Sequence, residues 1–486
     1  MRVEELDRLG AVNRRGKINF FHKDYQFVND CAHFDYQRQR VYIRHCKRPK
    51  KKGKRPRRWR NTKLRVNQRV EIISRNCPSC GSDDVIRWER GSIVTGQRPK
   101  RKRAFDLVFT PSGIKRRVIE CRTRVHVCSR CGKLFIPDRY KRLAKHFHGL
   151  MSWATYEHIA HRVSCPMLSE MLHEHFGLAV CQAELNEFKS IMAHRYRSCC
   201  KRLLTKMLGG PVMHVDETQV RLRTGVVYVW VFTTAEDVVY IYRPTREGEF
   251  LTKLLAGFNG VLVTDFYAAY DALPCLQQKC LIHLMRDMNQ ELLNNPFDQE
   301  LQSITGPFGV ILRDVATTID QYGLQRGRLQ KHRPQVNEFF HTLGSSSFRS
   351  EAAESVRARL TKYQGKLFTF LAHDAVPWNN NNAENAIRRF AYYRDDIPGL
   401  LRENGLKDYL TLLSVCHTCH YRGVSFLRFL LSRERDMESF CQSGNRKRLR
   451  LPPIELYPPG IMRPDFRRMT LARQSQRVSV SAKSPK

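Results

Sequence analysis

Two sets of residues in this chain have the types and spacing to do chemistry, and the first is built on sulfur. Cys77 and Cys80 in CPSCGS, and Cys128 and Cys131 in CSRCGK, are two Cys-x-x-Cys knuckles, each followed directly by a glycine, Gly81 and Gly132. A knuckle of this spacing wraps two thiolates around one ion, the glycine lets main-chain amides turn toward sulfur, and two knuckles complete a tetrahedral Zn2+ shell. Between Cys80 and Cys128 lie 47 residues, against the usual ~15–20, and a basic run sits inside that excess. The expectation is one structural zinc in a ribbon with an extended, basic hairpin. Cys121 and His126 are reserve ligands within sequence range. Cys416 and Cys419 in CHTCH, with His417 and His420, have no second knuckle and lie in an apolar helical run, so they read as core.

The second set is built on oxygen. Asp216 sits in the middle of a run of strand formers, where Asp is disfavoured unless it serves something. Asp265 ends the apolar run GVLVTD, and open α/β sheets gather functional groups at the carboxyl ends of their strands. Two carboxylates on neighbouring strands suit divalent cations that prefer hard oxygen ligands. A pair of such ions about 3.5–4 Å apart activates the attacking oxygen and stabilises the leaving one in a phosphodiester displacement. A third acid is needed for the second ion, and spacing alone leaves Asp287, Asp374, Glu384, Asp395, Asp396 and Glu403 open.

Charge points to a polyanionic partner. The 486 residues carry 85 Lys+Arg against 46 Asp+Glu, a net charge of +39. Residues 47–60 (KRPKKKGKRPRRWR) hold ten basic residues and no acid, and residues 98–103 (RPKRKR) hold five more; without them 39 − 15 = +24 remains, so basicity is spread through the folded parts. Lys50, Lys51, Lys52, Lys54, Arg55, Arg57 and Arg58, with Lys100, Arg101, Lys102 and Arg103, are the candidate phosphate contacts. With 42 % hydrophobic residues, a chain of this length has material for more than one domain. No apolar run approaches the ~18 residues of a membrane span, and MRVEELDRLG lacks a signal-peptide stretch. The 16 cysteines are too few for a disulfide scaffold. A cytoplasmic protein is expected, with no membrane partner.

The elements that must position these residues follow from texture. Residues 1–66 read as a basic arm. Residues 67–138 carry short strands (70–73, 85–88, 105–109, 115–120, 123–127) between turns, a small β domain. Residues 139–207 are helical by period, and Gly177 between two helical stretches is compatible with a helix-turn-helix. From Pro211, VMHVDETQVRLR, VVYVWVFTTA and VVYIYR read as an antiparallel meander. A helix (248–258), the strand GVLVTD, a helix (267–273), the run KCLIH and a helix from Leu284 follow, implying a mixed α/β sheet with parallel strands. Residues 295–374 are helical, residues 401–440 are C-terminal helices, and residues 441–486 form a basic flexible tail.

Four segments together resemble successive motifs of DDE transposases of the insertion-sequence sixty-six type: HVDET (214–218) with the following TGVVYVWVFTT, GVLVTDFYAAYDAL (260–273), KCLIHLMRDMN (279–289) and VPWNNNNAENAIRRFAYYR (376–394). The resemblance spans roughly residues 77–435 and implies a multidomain protein. Its ribonuclease-H-like mixed α/β core would be residues 208–294 and 375–400, interrupted by a helical insertion and preceded by a zinc-finger region. It implies the triad Asp216, Asp265 and Glu384, holding two Mg2+ (or Mn2+). Glu384 falls in the first turn of a helix opening after Asn379–Asn382, where the macrodipole favours its ionised form. Cys280 and His283 resemble the family's Cys-x-x-His element, and His283, Arg286 and Arg388 are expected to support the site. The long basic stretch between the Cys pairs departs from the family's compact finger.

The function so implied is a bacterial, nucleoid-associated DNA transposase acting in DNA recombination. It would nick and join the ends of an insertion sequence, with element ends and target DNA as partners and a dimer or higher oligomer in the DNA complex. The alternatives are a structure-selective DNA nuclease on the same ribonuclease-H-like core, or a catalytically decayed DNA-binding protein.

Overall fold

Val, Tyr and Trp alternate through residues 212–243 because three long strands bury both faces of a sheet. In the computed structural model β11 (Val212–Leu222), β12 (Gly225–Thr233) and β13 (Val238–Arg243) form the expected antiparallel meander. β14 (Val261–Thr264) and β15 (Leu276–Lys279) add to β11 in parallel. The sheet order is β13-β12-β11-β14-β15, a mixed α/β arrangement. The structure describes residues 61, 64–87, 99–396, 402–443 and 454–456. It also describes the backbone of two short antiparallel pairs, β1 (Phe21–His22) with β2 (Tyr25–Gln26) and β3 (Ala32–Asp35) with β4 (Arg40–Ile43). The basic run 47–60 and the tail beyond residue 456 lie outside the described residues. Residues 1–60 form one compact unit and residues 61–486 another.

Ahead of the large sheet are two small ones. β5 (Gln68–Glu71) pairs in parallel with β8 (Gly113–Thr123), which forms a long hairpin with β7 (Lys100–Thr110). β6 (Val85–Arg87), β9 (His126–Cys128) and β10 (Leu134–Phe135) make the second. The expected strand at 105–109 thus extends back through the basic run, and the segments 115–120 and 123–127 divide at Thr123 rather than before it. The hairpin has a structural task, since Phe105, Leu107 and Val118 enter the same core as the large sheet.

One turn of helix, α1 (Asp138–Lys141), leads to α2 (His148–Ala160), α3 (Cys165–Phe176) and α4 (Gln182–Leu208). Gly177 ends α3 at φ +62°, a left-handed C-cap. The helix after the turn buries Leu185, Phe188, Met192, Tyr196, Cys199, Leu203 and Met207, a stripe at intervals of three and four committed to the core. α5 (Glu249–Leu254) is shorter than the helix expected over 248–258. The helix expected at 267–273 is only a 3-10 turn, Ala268–Tyr270, because the Asp265 carboxylate accepts the Tyr267 N–H at 2.9 Å and Pro274 follows. KCLIH is half strand and half helix: β15 ends at Lys279 and α6 (Leu281–Asn294) starts three residues before Leu284.

The helices α7 (Gln299–Tyr322), α8 (Arg326–Leu329), α9 (Arg333–Ser345) and α10 (Glu351–Leu367) have their own core of Ile304, Phe308, Ile311, Phe340 and Leu360. That core takes Val261 and Val263 from one face of β14, whereas Leu262 joins Met213 and Val215 in the larger one. α11 (Asn381–Asp396) and α12 (Glu403–Tyr421) return to the sheet, followed by α13 (Phe426–Ser432) and α14 (Met437–Ser443). Cys416, His417 and Cys419 are buried in α12, and His417 Nδ1 lies 2.8 Å from the Tyr240 hydroxyl, so these three are core, while His420 is exposed beside Arg389. Among the described residues no helix is long and apolar enough to cross a membrane.

Candidate active site and metal centre

The knuckles come together. Cys77 Sγ lies 3.7 Å from Cys131 Sγ and Cys80 Sγ 3.5 Å from Cys128 Sγ, and the four sulfurs are mutually within 4.8 Å. The two halves repeat one another. Gly81 N–H donates to the Cys77 carbonyl and Gly132 N–H to that of Cys128, with φ of +74° and +67° at the glycines, which a Cβ would disfavour. The N–H groups of Cys80 and Ser79 aim at the Cys77 sulfur and lower its thiol to about 6. Four thiol ligands at these separations could hold one Zn2+. Cys121 and His126 stay outside: Cys121 is buried in a neighbouring cluster, its thiol pushed up to about 11 by burial, and His126 Nδ1 meets the Arg124 carbonyl.

Of the basic run in β7, Lys100 and Arg101 are exposed. Lys102 is not free for an external phosphate, since its ammonium donates to the Tyr140 and Lys141 carbonyls at 2.7 and 3.0 Å. Arg103 pairs with Glu120 at 3.7 Å. Arg286 on α6 and Arg388 on α11 are exposed.

The acids are positioned by the large sheet. β11 and β14 pair in parallel with His214 opposite Val263, an offset of 263 − 214 = 49, and 265 − 216 = 49 as well. Asp216 and Asp265 thus each lie two residues past the last paired position, and by alternation Asp265, one residue past β14, continues the side of Val261 and Val263. Asp216 is a half-buried carboxylate whose pKa is raised to about 8, first by burial and then by Asp265 and Glu217, with Glu384 adding to the shift. The charged neighbours that shift Asp216 are all acids, and crowded carboxylates are a donor set that a hard cation neutralises, so the residues fit divalent metal. Among the described residues, the groups whose ligand atoms all lie within 4.8 Å are the four cysteines and Cys280/His283/Glu384; the three acids do not converge on a single ion.

Glu384 lies in the first turn of α11, which begins at Asn381 inside the Asn run. The four asparagines divide the work. Asn379 Oδ1 accepts the Asn381 N–H, Asn380 is fully buried, and Asn382 links the Thr234 carbonyl to the Tyr421 hydroxyl. His283, in the first turn of α6, faces Glu384 with Nδ1 at 3.6 Å from Oε1.

Three supporting groups were not foreseen. Glu217, next to Asp216, accepts from Arg246 at 2.6 Å and from the Tyr270 hydroxyl at 2.6 Å. Lys279 is fully buried, donating to the Asp265 carbonyl at 3.0 Å and the Thr264 hydroxyl at 3.2 Å, and pairing with Asp271. Asn380 is the third. Glu217 in HVDET and the Asn run were visible as clustered polar residues among apolar ones, but Lys279 carried no signal beyond its place at the end of a short strand.

A family model described as the transposase IS66 family matches residues 146–407 of this chain. An uncharacterized protein of Sinorhizobium fredii (strain NBRC 101917 / NGR234), y4qI, is 23% identical over 292 residues, covering 54% of this chain and 54% of that protein, so the match spans about half of the relative's length. A solved structure described as a cryoEM structure of the simian T-cell lymphotropic virus intasome in complex with PP2A regulatory subunit B56 gamma has a similar chain at 15% identity. The similarity covers 30% of this chain and 60% of that one with a TM-score of 0.14.

Proposed function

The chain belongs to the IS66 transposase family, and from that premise we propose that it cuts DNA at the ends of a mobile element and joins the freed 3′-hydroxyls to target DNA. Asp216, Asp265 and Glu384 would be its catalytic carboxylates. The observation that carries this reading is that Asp265 and Glu384 both lie close enough to Asp216 to raise its pKa, Asp216 and Asp265 each following the paired segment of β11 and β14 by two residues. The sheet order, three antiparallel strands followed by two parallel ones, supports a ribonuclease-H-like core formed by residues 208–294 and 375–400, with 295–374 as its helical insertion. Asp216, Asp265 and Glu384 would hold two Mg2+ or Mn2+ ions, which when bound lower the pKa of water and polarise the scissile phosphate.

The chain's own groups do the positioning. Lys279 fixes the backbone at Asp265, Asn380 joins the α11 entry to β11, and the Glu217–Arg246–Tyr270 cluster braces β11 beside Asp216. The zinc ribbon, Lys100 and Arg101 on the β7–β8 hairpin, and the basic segment 47–60 would contact DNA chiefly through phosphates, giving steep salt dependence. Synapsis of two ends calls for at least a dimer on DNA.

The test uses full-length protein, labelled element-end DNA and a supercoiled target. Nicking and joining in Mg2+ are expected, and Asp216→Asn, Asp265→Asn and Glu384→Gln should each lower both steps by about three orders of magnitude with DNA binding retained. Cleavage without joining would make the chain a nuclease, and binding with neither step would make it a decayed relative.

A further inference from the structure

Cys280, His283 and Glu384 offer a sulfur, a nitrogen and an oxygen that lie within 4.8 Å of one another. The residues come from two elements whose first turns meet. Cys280 immediately precedes α6, His283 is in its first turn, and Glu384 is in the first turn of α11. His283 Nδ1 and Glu384 Oε1 face each other at 3.6 Å, too far for a hydrogen bond. Both are buried atoms, and neither has a hydrogen-bond partner among the described residues. Buried polar atoms are ordinarily satisfied, and a cation between these two would satisfy both. The Asn380 main-chain N–H donates to Cys280 Sγ at 3.2 Å, as that of Ser79 does to Cys77 Sγ at 3.4 Å in the four-cysteine cluster. Such N–H groups orient and stabilise a ligating thiolate.

We propose that Cys280, His283 and Glu384 form a second transition-metal site that takes a borderline-soft ion of the Zn2+ class. It is separate from the four-cysteine cluster and shares Glu384 with the catalytic carboxylates. The donor set decides the ion, because thiolate and imidazole suit Zn2+ and Co2+ whereas Mg2+ prefers oxygen alone. Binding costs the Cys280 thiol its proton and leaves a fourth position open to water. The consequence for activity rests on the transposase reading above: with Oε1 committed to zinc, Glu384 has one oxygen left for the hard-cation pair, so zinc inhibits in the presence of Mg2+.

Full-length protein freed of metal and titrated with Co2+ is expected to bind two equivalents that show thiolate-to-cobalt charge-transfer bands, one giving the spectrum of a four-thiolate site and the other that of a single-thiolate site. Cys280→Ser and His283→Ala should each reduce the count to one and leave the four-thiolate spectrum, while Cys77→Ser/Cys80→Ser should leave the other. Cys280 is buried, whereas the His283 side chain is partly exposed, so His283→Ala tests the site even where Cys280→Ser unfolds. One equivalent in the wild type, or two retained in His283→Ala, overturns the site. In the activity arm, zinc added at a few equivalents over protein in millimolar Mg2+ should lower nicking at least tenfold in the wild type, and Cys280→Ser should lose that sensitivity. Equal zinc sensitivity in both overturns the inhibitory role. A chain that nicks no DNA refutes the transposase reading and leaves the Co2+ count as the test of the site.

Discussion

The side-chain amide of Asn380 donates to the main-chain carbonyl of Val215 at 3.0 Å, which ties the entry of the helix carrying Glu384 to the strand residue just before Asp216. The same carboxamide oxygen lies 3.1 Å from His214 Nδ1, and the Asn380 N–H reaches Cys280. One fully buried residue thus joins three segments far apart in sequence. Asn380→Ala leaves a buried carbonyl and a buried imidazole N–H unpaired, and a loss of about 2–4 kcal/mol in urea unfolding is expected. Because a misplacement of about 1 Å can cost ~100-fold in rate, nicking should fall by roughly that factor while DNA affinity, measured by anisotropy, changes less than about threefold.

The ribbon should depend on its ion. Among the described residues its own apolar cluster is Cys77, Cys128 and Phe135, with Val85 packed against them, too small to hold the knuckles against chain entropy. Cys77→Ser/Cys80→Ser should lose the zinc equivalent of the four-cysteine cluster. Limited proteolysis should then cut within residues 74–98, while the melting transition of the large sheet is retained.

What was legible in the residues follows the range of the interaction that decides each feature. The knuckles are local, and so are the meander and Asp216 within it, because period-2 burial and turn residues act over a few positions. The turn after Asp265 reads as a helix in sequence because Ala268, Ala269 and Tyr270 are good helical material, and the bond that the Tyr267 N–H donates to the Asp265 carboxylate outweighs that preference. KCLIH suits a buried strand and a buried helix equally, and only the pairing of Leu276–Lys279 with β14 divides it. The tasks of Asn380, with partners 165 and 100 residues away, and of Lys102, held by carbonyls in α1, belong to tertiary contacts that no local pattern encodes.

The crossing of α2 over β7 requires a glycine at position 149. A Cβ there would lie 2.1 Å from the Leu107 carbonyl oxygen and 2.8 Å from Asp106 Oδ1, and the nearer atom is backbone within a paired strand, so it cannot swing aside. Gly149→Ala should therefore destabilise the chain by about 3 kcal/mol, although alanine is the better helix former. Differential scanning calorimetry against Gly309→Ala, a glycine inside helix α7 with open space around its Cβ position, separates the clash from the change in propensity.

The same crossing makes stability sensitive to pH. Helix α2 has no side-chain cap of its own; Asp106 Oδ1 accepts the Leu150 N–H at 3.0 Å and Glu455 Oε2 accepts that of His148 at 2.7 Å. Burial first, and then the neighbouring Glu455 carboxylate, raise Asp106 from 3.8 to about 7. A raised acid binds its proton more tightly in the folded chain than in the unfolded one, so its contribution is fully present below about pH 4 and is lost as pH rises to about 7. The slope is at most ~1.4 kcal/mol per pH unit. Asp106→Asn keeps the acceptor for Leu150 and cannot ionise. In urea unfolding between pH 4.5 and 7, the wild type should lose stability relative to Asp106→Asn as pH rises, and the difference should level off above pH 7.5. A constant difference across that window would mean that Asp106 stays ionised in the folded chain.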